Sequence, residues 1–255
     1  MTSAAAIIAR NPIFRHASSA SVAALCEAST ARTFAAEEII LREGEPAELV
    51  YALDSGSVRV FHGAPRAKQI VVKLFRGPCF FGEAEAFARI PWLVSAAAVE
   101  QASILCMPPR AMLEFLRREP ECAVRMVIDV GVRLAIASYH ERSLAFDPST
   151  IRLANYLLDY GAHANPEREQ RWRIDLTQEA MAAAIGVTRR SVAADMAAWQ
   201  KEGILAREDG AYIVLDVDAL VRYGDPGRMS LSYRLGDDIE ALFGESRPAR
   251  DDGER

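Results

Sequence analysis

The stretch "GVTRRSVAADM", Gly186 to Met196, sets Arg189 and Arg190 side by side between two hydroxyl residues, Thr188 and Ser191. A guanidinium is a rigid planar fork of donors. It can engage O6 and N7 of one guanine together or clamp a phosphate, and it can equally serve as plain solubilising charge on a helix. Which role applies depends on the elements that present the pair.

Those elements begin upstream. Thr177 is a capping residue for a helix "QEAMAAAIG", with Glu179 in the first turn, where the helix dipole favours an anion. Met181 and Ile185 lie four apart and share a face. Gly186 suits the left-handed geometry that ends a helix tightly, and Thr188 starts a second helix almost at once. In that second helix Val192, Met196 and Trp199 turn inward, which leaves Arg189, Arg190 and Ser191 outside and thins the same face to Ala193, Ala194 and Ala197. Helix, glycine turn, helix is the layout in which the second helix enters a DNA major groove by its N-terminal end. From Arg171 to Lys201 there are five basic and three acidic residues, inside a chain of net charge −5. That local excess fits a face for the DNA backbone, which responds to the charge of one surface and not to the total. "KEGILAREDGAYIVLD" follows as a hairpin turning at Asp209–Gly210, a candidate wing.

Other chemistries find less support. The four cysteines, Cys26, Cys79, Cys106 and Cys122, are 16 residues or more apart, without the short spacing of metal or iron–sulfur ligands, and read as buried thiols of a reducing compartment. The four histidines, His16, His62, His140 and His163, fall in different segments, against the converging set of a cupin-type β-barrel metalloenzyme. No Ser–His–Asp set, phosphate loop or carboxylate pair stands out, so no enzyme and no metal site is expected. "MTSAAAIIAR" has no basic residues before its apolar run and makes a poor secretory signal. No run of about 18 apolar residues occurs. A cytoplasmic protein without membrane association is expected.

Along 255 residues the texture changes in order. Residues 12–110 read mainly as short strands and turns: "ELVYALDSGSVRVFHG" with a Ser55–Gly56 turn, then "KQIVVKLF" and "VSAAAVEQASILCM". Many short strands between glycines and prolines indicate an antiparallel roll or barrel. Pro108–Pro109 opens a helical "RAMLEFLRREP", and Pro120 opens a longer one, to Phe146. In it Ala123, Val127, Val130, Leu134 and Ala137 form a seam spaced 4, 3, 4, 3. Val124, Ile128, Ala135 and Ile136 add apolar residues on other sides, so the helix needs contact on more than one flank, and a second copy of itself can supply one. Pro148 in "FDPST" marks a hinge. Then come a helix "TIRLANYLLDYG", a polar loop "AHANPEREQ", a strand "RWRIDL" and the two-helix stretch. The tail from Asp225 offers a short helix "LGDDIEALFG" and ends in the charged "ESRPARDDGER", which reads as disordered.

"LTQEAMAAAIGVTRRSVAADMAAWQKEGIL" resembles the DNA-binding helices of the Crp–Fnr family of bacterial transcription regulators, and "EGEPAELVYALDSGSVRVF" with "FFGEAEAF" resembles that family's cyclic-nucleotide-binding-type β-roll. "LAFDPSTIRLANYLL" is similar to its hinge. The likeness covers roughly residues 12–218. It implies an α+β chain with an antiparallel jelly-roll-type β-roll at 12–119, a dimerisation helix at 120–146, a winged helix-turn-helix domain at 147–222 and an extension at 223–255. It implies a homodimer on a two-fold-related site in double-stranded DNA, with RNA polymerase as a partner of any activator. Thr177, Gln178, Thr188, Arg189, Arg190 and Ser191 then contact DNA. Arg190 stands where a glutamate that accepts from cytosine is common, and Ala194 lacks a second reading arginine, so the preferred half-site should depart from the family's usual one. Asp195 sits where a small or apolar residue is usual.

The resemblance also implies an effector pocket. Gly82 and Glu83 match the pair that approaches the ribose of cyclic AMP, but the phosphate-holding Arg–Ser or Arg–Thr pair reads Val94–Ser95. An uncompensated buried charge costs about 3–5 kcal/mol, so cyclic AMP is disfavoured unless nearby Arg89 replaces the missing cation. No N-terminal cysteine cluster for iron–sulfur sensing is present, and the residue two after Cys79 is Phe81 where haem binding needs a ligand. The effector is either an unknown small molecule or absent, control then resting on abundance or a partner protein.

Overall fold

The computed structural model describes residues 3–63, 70–164 and 171–224. Its contacts form two compact units, Met1–Met126 with Leu176–Arg190, and Val127–Asp175 with Ser191–Arg255.

The first unit contains the expected roll. Its eight strands are β1 (Thr30–Phe34), β2 (Ile39–Leu41), β3 (Val50–Ser55), β4 (Ser57–His62), β5 (Ile70–Arg76), β6 (Cys79–Phe81), β7 (Ser95–Ala98) and β8 (Ala102–Met107). They form two antiparallel four-stranded sheets, ordered β1-β8-β3-β6 and β2-β7-β4-β5. At Gly56 the chain leaves one sheet for the other, so β3 and β4 are sequence neighbours without being hydrogen-bonded partners. Phe34, Leu53, Val58, Phe61, Phe80, Ile104 and Leu105 fill the interior.

Residues before β1 fold as helices, and those from Pro12 onward correct the strand-and-turn reading of 12–110. Helix α1 (Ala4–Arg10) is capped by the Ser3 hydroxyl, which accepts from the Ala6 amide, and it buries Ile7 and Ile8 against β3 and β8. Its last residue, Arg10, donates twice to Asp54, at 2.6 and 2.7 Å. A 3₁₀ turn at Pro12–Phe14 leads to α2 (Ser19–Glu27), capped by Ser18. Helix α1 is seven residues long and almost wholly apolar, which gives no periodic signal, and burial against the roll decides its state. Helix α3 (Glu83–Ala88) lies between β6 and β7, and α4 (Pro109–Arg118) begins at the predicted proline.

Helix α5 (Pro120–Phe146) runs the full predicted length, and the break at Asp147–Pro148 is followed by α6 (Ser149–Ala164). Helix α6 continues three residues beyond Gly161, where the sequence indicated its end. A Cβ on Gly161 would fall 2.3 Å from Trp172 Cε3, so this glycine admits an indole and does not cap a helix.

The remaining elements are β9 (Trp172–Ile174), α7 (Gln178–Ile185), α8 (Arg189–Lys201), β10 (Leu205–Glu208), β11 (Ala211–Val214) and α9 (Val217–Tyr223). In the second unit β10, β11 and β9 make an antiparallel sheet. Asp209 and Gly210 both have positive φ, 46° and 81°, as a type I′ two-residue hairpin requires. Helix α9, absent from the sequence reading, is capped by Asp216 and packs on α6. The segment 165–170, the candidate helix "LGDDIEALFG" and the charged tail lie outside the described residues. Among the described residues no helix is long and apolar enough to cross a membrane.

Candidate nucleic-acid interface

The local geometry at the arginine pair follows the sequence closely. The Thr177 hydroxyl accepts from the Ala180 amide at 3.1 Å and caps α7, whose Met181 and Ile185 are buried. Gly186 takes the left-handed conformation, φ 67° and ψ 40°, and the Val187 amide donates back to the Ala182 carbonyl. Two residues later α8 begins, and Val192, Met196 and Trp199 are each no more than 1% exposed.

That inward stripe forces the opposite face outward. Thr188, Arg189 and Arg190 are exposed, Ser191 is half-buried, and Ala194, Ala197 and Ala198 carry the exposed face along the helix with only methyl groups. Thr177 is exposed and Gln178 half-buried at the start of α7. Neither Arg189 nor Arg190 makes an ion pair or a side-chain hydrogen bond among the described residues. The other arginines of the basic stretch differ. Arg171 is held by Glu208, and Arg173 by Asp175 at 2.9 Å, a contact that raises the Arg173 pKa chiefly through hydrogen bonding. Of the four arginines in this stretch, only the pair at the first turn of α8 has no carboxylate partner among the described residues, and the helix dipole adds to its charge.

Asp195 gains a role that spacing alone did not reveal. Its Oδ1 accepts a 2.9 Å hydrogen bond from Thr150 Oγ1 in the first turn of α6. The carboxylate tethers α8 to the start of α6, which explains a charged residue beside an apolar stripe. No sequence signal links positions 45 residues apart.

The seam on α5 is open. Val127 and Leu134 are 71% and 66% exposed, Ala137 is exposed, and Ala123 and Val130 are half-buried. Another side of the same helix is closed by Cys122, Arg125, Met126 and Ser143. The cysteine expectation holds for Cys106 and Cys122, which are buried; Cys26 and Cys79 are only half-buried, a partial correction.

The residues of the expected effector corner come together differently. Gly82 caps α3 with φ 78°, and a Cβ there would lie 3.0 Å from Tyr51 and 3.1 Å from Trp92. Tyr51 stacks on Phe81 at 4.9 Å, Phe81 on Phe75 at 5.5 Å, and Trp92 tilts against Tyr51. Burial pushes the Tyr51 hydroxyl up to about 12. Glu83 is buried, Val94 is half-buried, and the buried Ser95 Oγ accepts from the Glu43 amide at 3.0 Å. Arg89 is exposed in a left-handed conformation at the end of α3 and lines a groove that none of the other four residues touches.

Residues 31–119 match the family described as cyclic nucleotide-binding domain, and residues 151–223 match the Crp-like helix-turn-helix domain. The chain is 25% identical over 218 residues to the CRP-like cAMP-activated global transcriptional regulator of Mycobacterium tuberculosis, covering 85% of this chain and 97% of that protein. It is 27% identical over 192 residues to the transcriptional regulator LdrP of Thermus thermophilus, covering 75% and 95%. Among solved structures, FixK2 from Bradyrhizobium japonicum shares the fold with a TM-score of 0.64 at 17% identity, over 77% of this chain and 98% of that one. A CRP-family regulator from Thermus thermophilus gives 0.57 at 28% identity, over 75% and 95%.

A β-roll of cyclic-nucleotide-binding type followed by a winged helix-turn-helix defines a DNA-binding transcription regulator, not an enzyme. This chain belongs to the Crp–Fnr family.

Proposed function

We propose that the protein acts in the cytoplasm as a homodimer on a two-fold-related DNA site, with Arg189 and Arg190 reading bases and Thr177, Gln178, Thr188 and Ser191 positioning the backbone. The observation that carries this reading is the exposed arginine pair on the first turn of α8, unengaged among the described residues, beside a face of alanines thin enough for close approach. Arginine donates only, so position 190 favours guanine where the family's glutamate would favour cytosine. The open seam of Val127 and Leu134 supports pairing along α5. The working division is an effector roll at 12–119, a dimer helix at 120–146, a DNA-binding domain at 147–222 and an extension at 223–255. RNA polymerase joins as a partner when the bound protein activates.

Cyclic AMP is not the effector in this reading. Val94 supplies no cation, the Ser95 hydroxyl already serves Glu43, and the space beside Gly82 holds the rings of Tyr51 and Trp92. The same ring packing favours a second reading, a regulator whose roll takes no ligand at this corner. A ligand at 100 times its Kd adds about 2.7 kcal/mol of stability, so cyclic AMP is expected to leave the melting temperature unchanged. A clear upward shift with cyclic AMP would refute this part.

The DNA reading is tested by selecting bound duplexes from a random pool with the full chain. The expected product is an inverted repeat with half-site centres about 34 Å apart and guanine-rich contacts. Recovery of unrelated sequences would overturn it.

A further inference from the structure

We infer that the groove between α3 and α4 binds a small amphiphilic anion, a phosphate monoester or carboxylate carrying an apolar body. The groove has a volume of about 760 Å³ and lies apart from the Gly82–Glu83 corner. Three arginines, Arg89, Arg110 and Arg117, line it, and no carboxylate does. All three are exposed, and none makes an ion pair or side-chain hydrogen bond among the described residues. In a chain of net charge −5, three unneutralised guanidinium groups around one concavity are not a general surplus of base.

The placement has a structural cause. Arg110, Leu113 and Arg117 are spaced 3 and 4 along α4, so they share one face and send two cations and an apolar side chain to the same place. The first turn of α4 has no side-chain cap, and since Pro109 has no N–H, the amides of Arg110 and Ala111 are the donors it offers. Arg89 arrives from the opposite wall in a left-handed conformation, φ 57°, a costly backbone state for arginine that turns the chain at the end of α3. Phe87, Ile90, Pro91 and Leu113 give the groove its apolar lining.

The rim is held in shape before any ligand arrives. The Gly44 amide donates to the Trp92 carbonyl at 2.8 Å, the Trp92 amide to the Glu45 carbonyl at 2.9 Å, and Pro46 bridges to Pro91. A fixed concavity with an apolar lining and convergent polar groups is the usual form of a small-molecule site, and bidentate guanidinium groups select phosphate and carboxylate.

The test is isothermal titration of the full chain, without DNA, with phenyl phosphate, inorganic phosphate and phenol as probes. Phenyl phosphate is expected to saturate one site per chain and to bind at least about tenfold tighter than either fragment. The double variant R110Q/R117Q, altered only at exposed positions, is expected to lose at least about tenfold in that affinity with an unchanged circular dichroism spectrum. The surface control Arg42→Gln should bind as the parent does. Unchanged affinity in R110Q/R117Q, equal binding of inorganic phosphate, or no saturation at millimolar phenyl phosphate would each overturn the proposal. R110Q/R117Q is expected to keep full DNA affinity, so failure here leaves the reading of α8 standing, and the reverse also holds.

Discussion

Two regions of this chain each match a family model, residues 31–119 and residues 151–223, and they differ in what the fold has done with the residues that carry the resemblance. At the start of α8 Thr188, Arg189 and Arg190 face solvent, and the two arginines are engaged by nothing among the described residues. At the Gly82–Glu83 corner the matching residues are taken up by the protein itself: Gly82 lies against Tyr51 and Trp92, Glu83 is buried, and Ser95 serves a backbone amide. A retained motif is a retained site only where its polar groups are left unspent. By that criterion we propose that the start of α8 is left free to read DNA, whereas the Gly82–Glu83 corner is occupied by the roll's own packing.

Four substitutions break or sharpen the contrast. The largest effect is expected from Leu134→Asp. In the proposed dimer it would bury a pair of like charges, at a cost of about 3–5 kcal/mol in dimerisation. Sedimentation should show a monomer, and a persisting dimer would remove the seam from the account. Arg189→Ala should weaken specific DNA binding by about 1–3 kcal/mol and leave binding to random duplex nearly as it was. If a titration shows the two duplexes discriminated as before, the arginine pair is only surface charge.

Gly82→Ala should lower stability by about 1–3 kcal/mol, because a methyl at positive φ would press on two rings. Thermal melting checks this, and an unchanged midpoint would mean that the corner is open after all. The smallest effect belongs to Thr150→Val, which removes the donor to Asp195 at a cost of about 1 kcal/mol. Its signature is a modest loss of stability, read by denaturant unfolding, with no change in base preference. A large change in preference would give Asp195 a place in DNA reading that its tether to α6 does not assign.

Much of the DNA-binding half was legible because its signals are local. Thr177 as a cap, Gly186 as a stop and Asp209–Gly210 as a turn depend on residues within a few positions, and each appears as expected. The stripe of Val192, Met196 and Trp199 likewise needs only helical periodicity. The N-terminal helices escaped because α1 is only seven residues long and buries its two isoleucines against β3 and β8, far along the chain. Helix α9 escaped for a similar reason, since "VDALVRY" is short and acquires its meaning from α6. The helix "TIRLANYLLDYG" ends at Gly161 in the sequence reading, whereas α6 runs on to Ala164 and this glycine makes room for Trp172.

The sequence by itself determined much of the order of elements, the polarity of α8 and the identity of the two arginines at its tip, because caps, turns and periodic apolar stripes act over one or two helical turns. Only the tertiary structure decided which charges stay available. It paired Arg171 and Arg173 with acids, tied Asp195 to Thr150, filled the corner beside Gly82 with rings and drew Arg89 toward Arg110 and Arg117. Each of these outcomes depends on which distant side chain arrives within about 3–4 Å, and the spacing of residues along a chain carries no record of that distance.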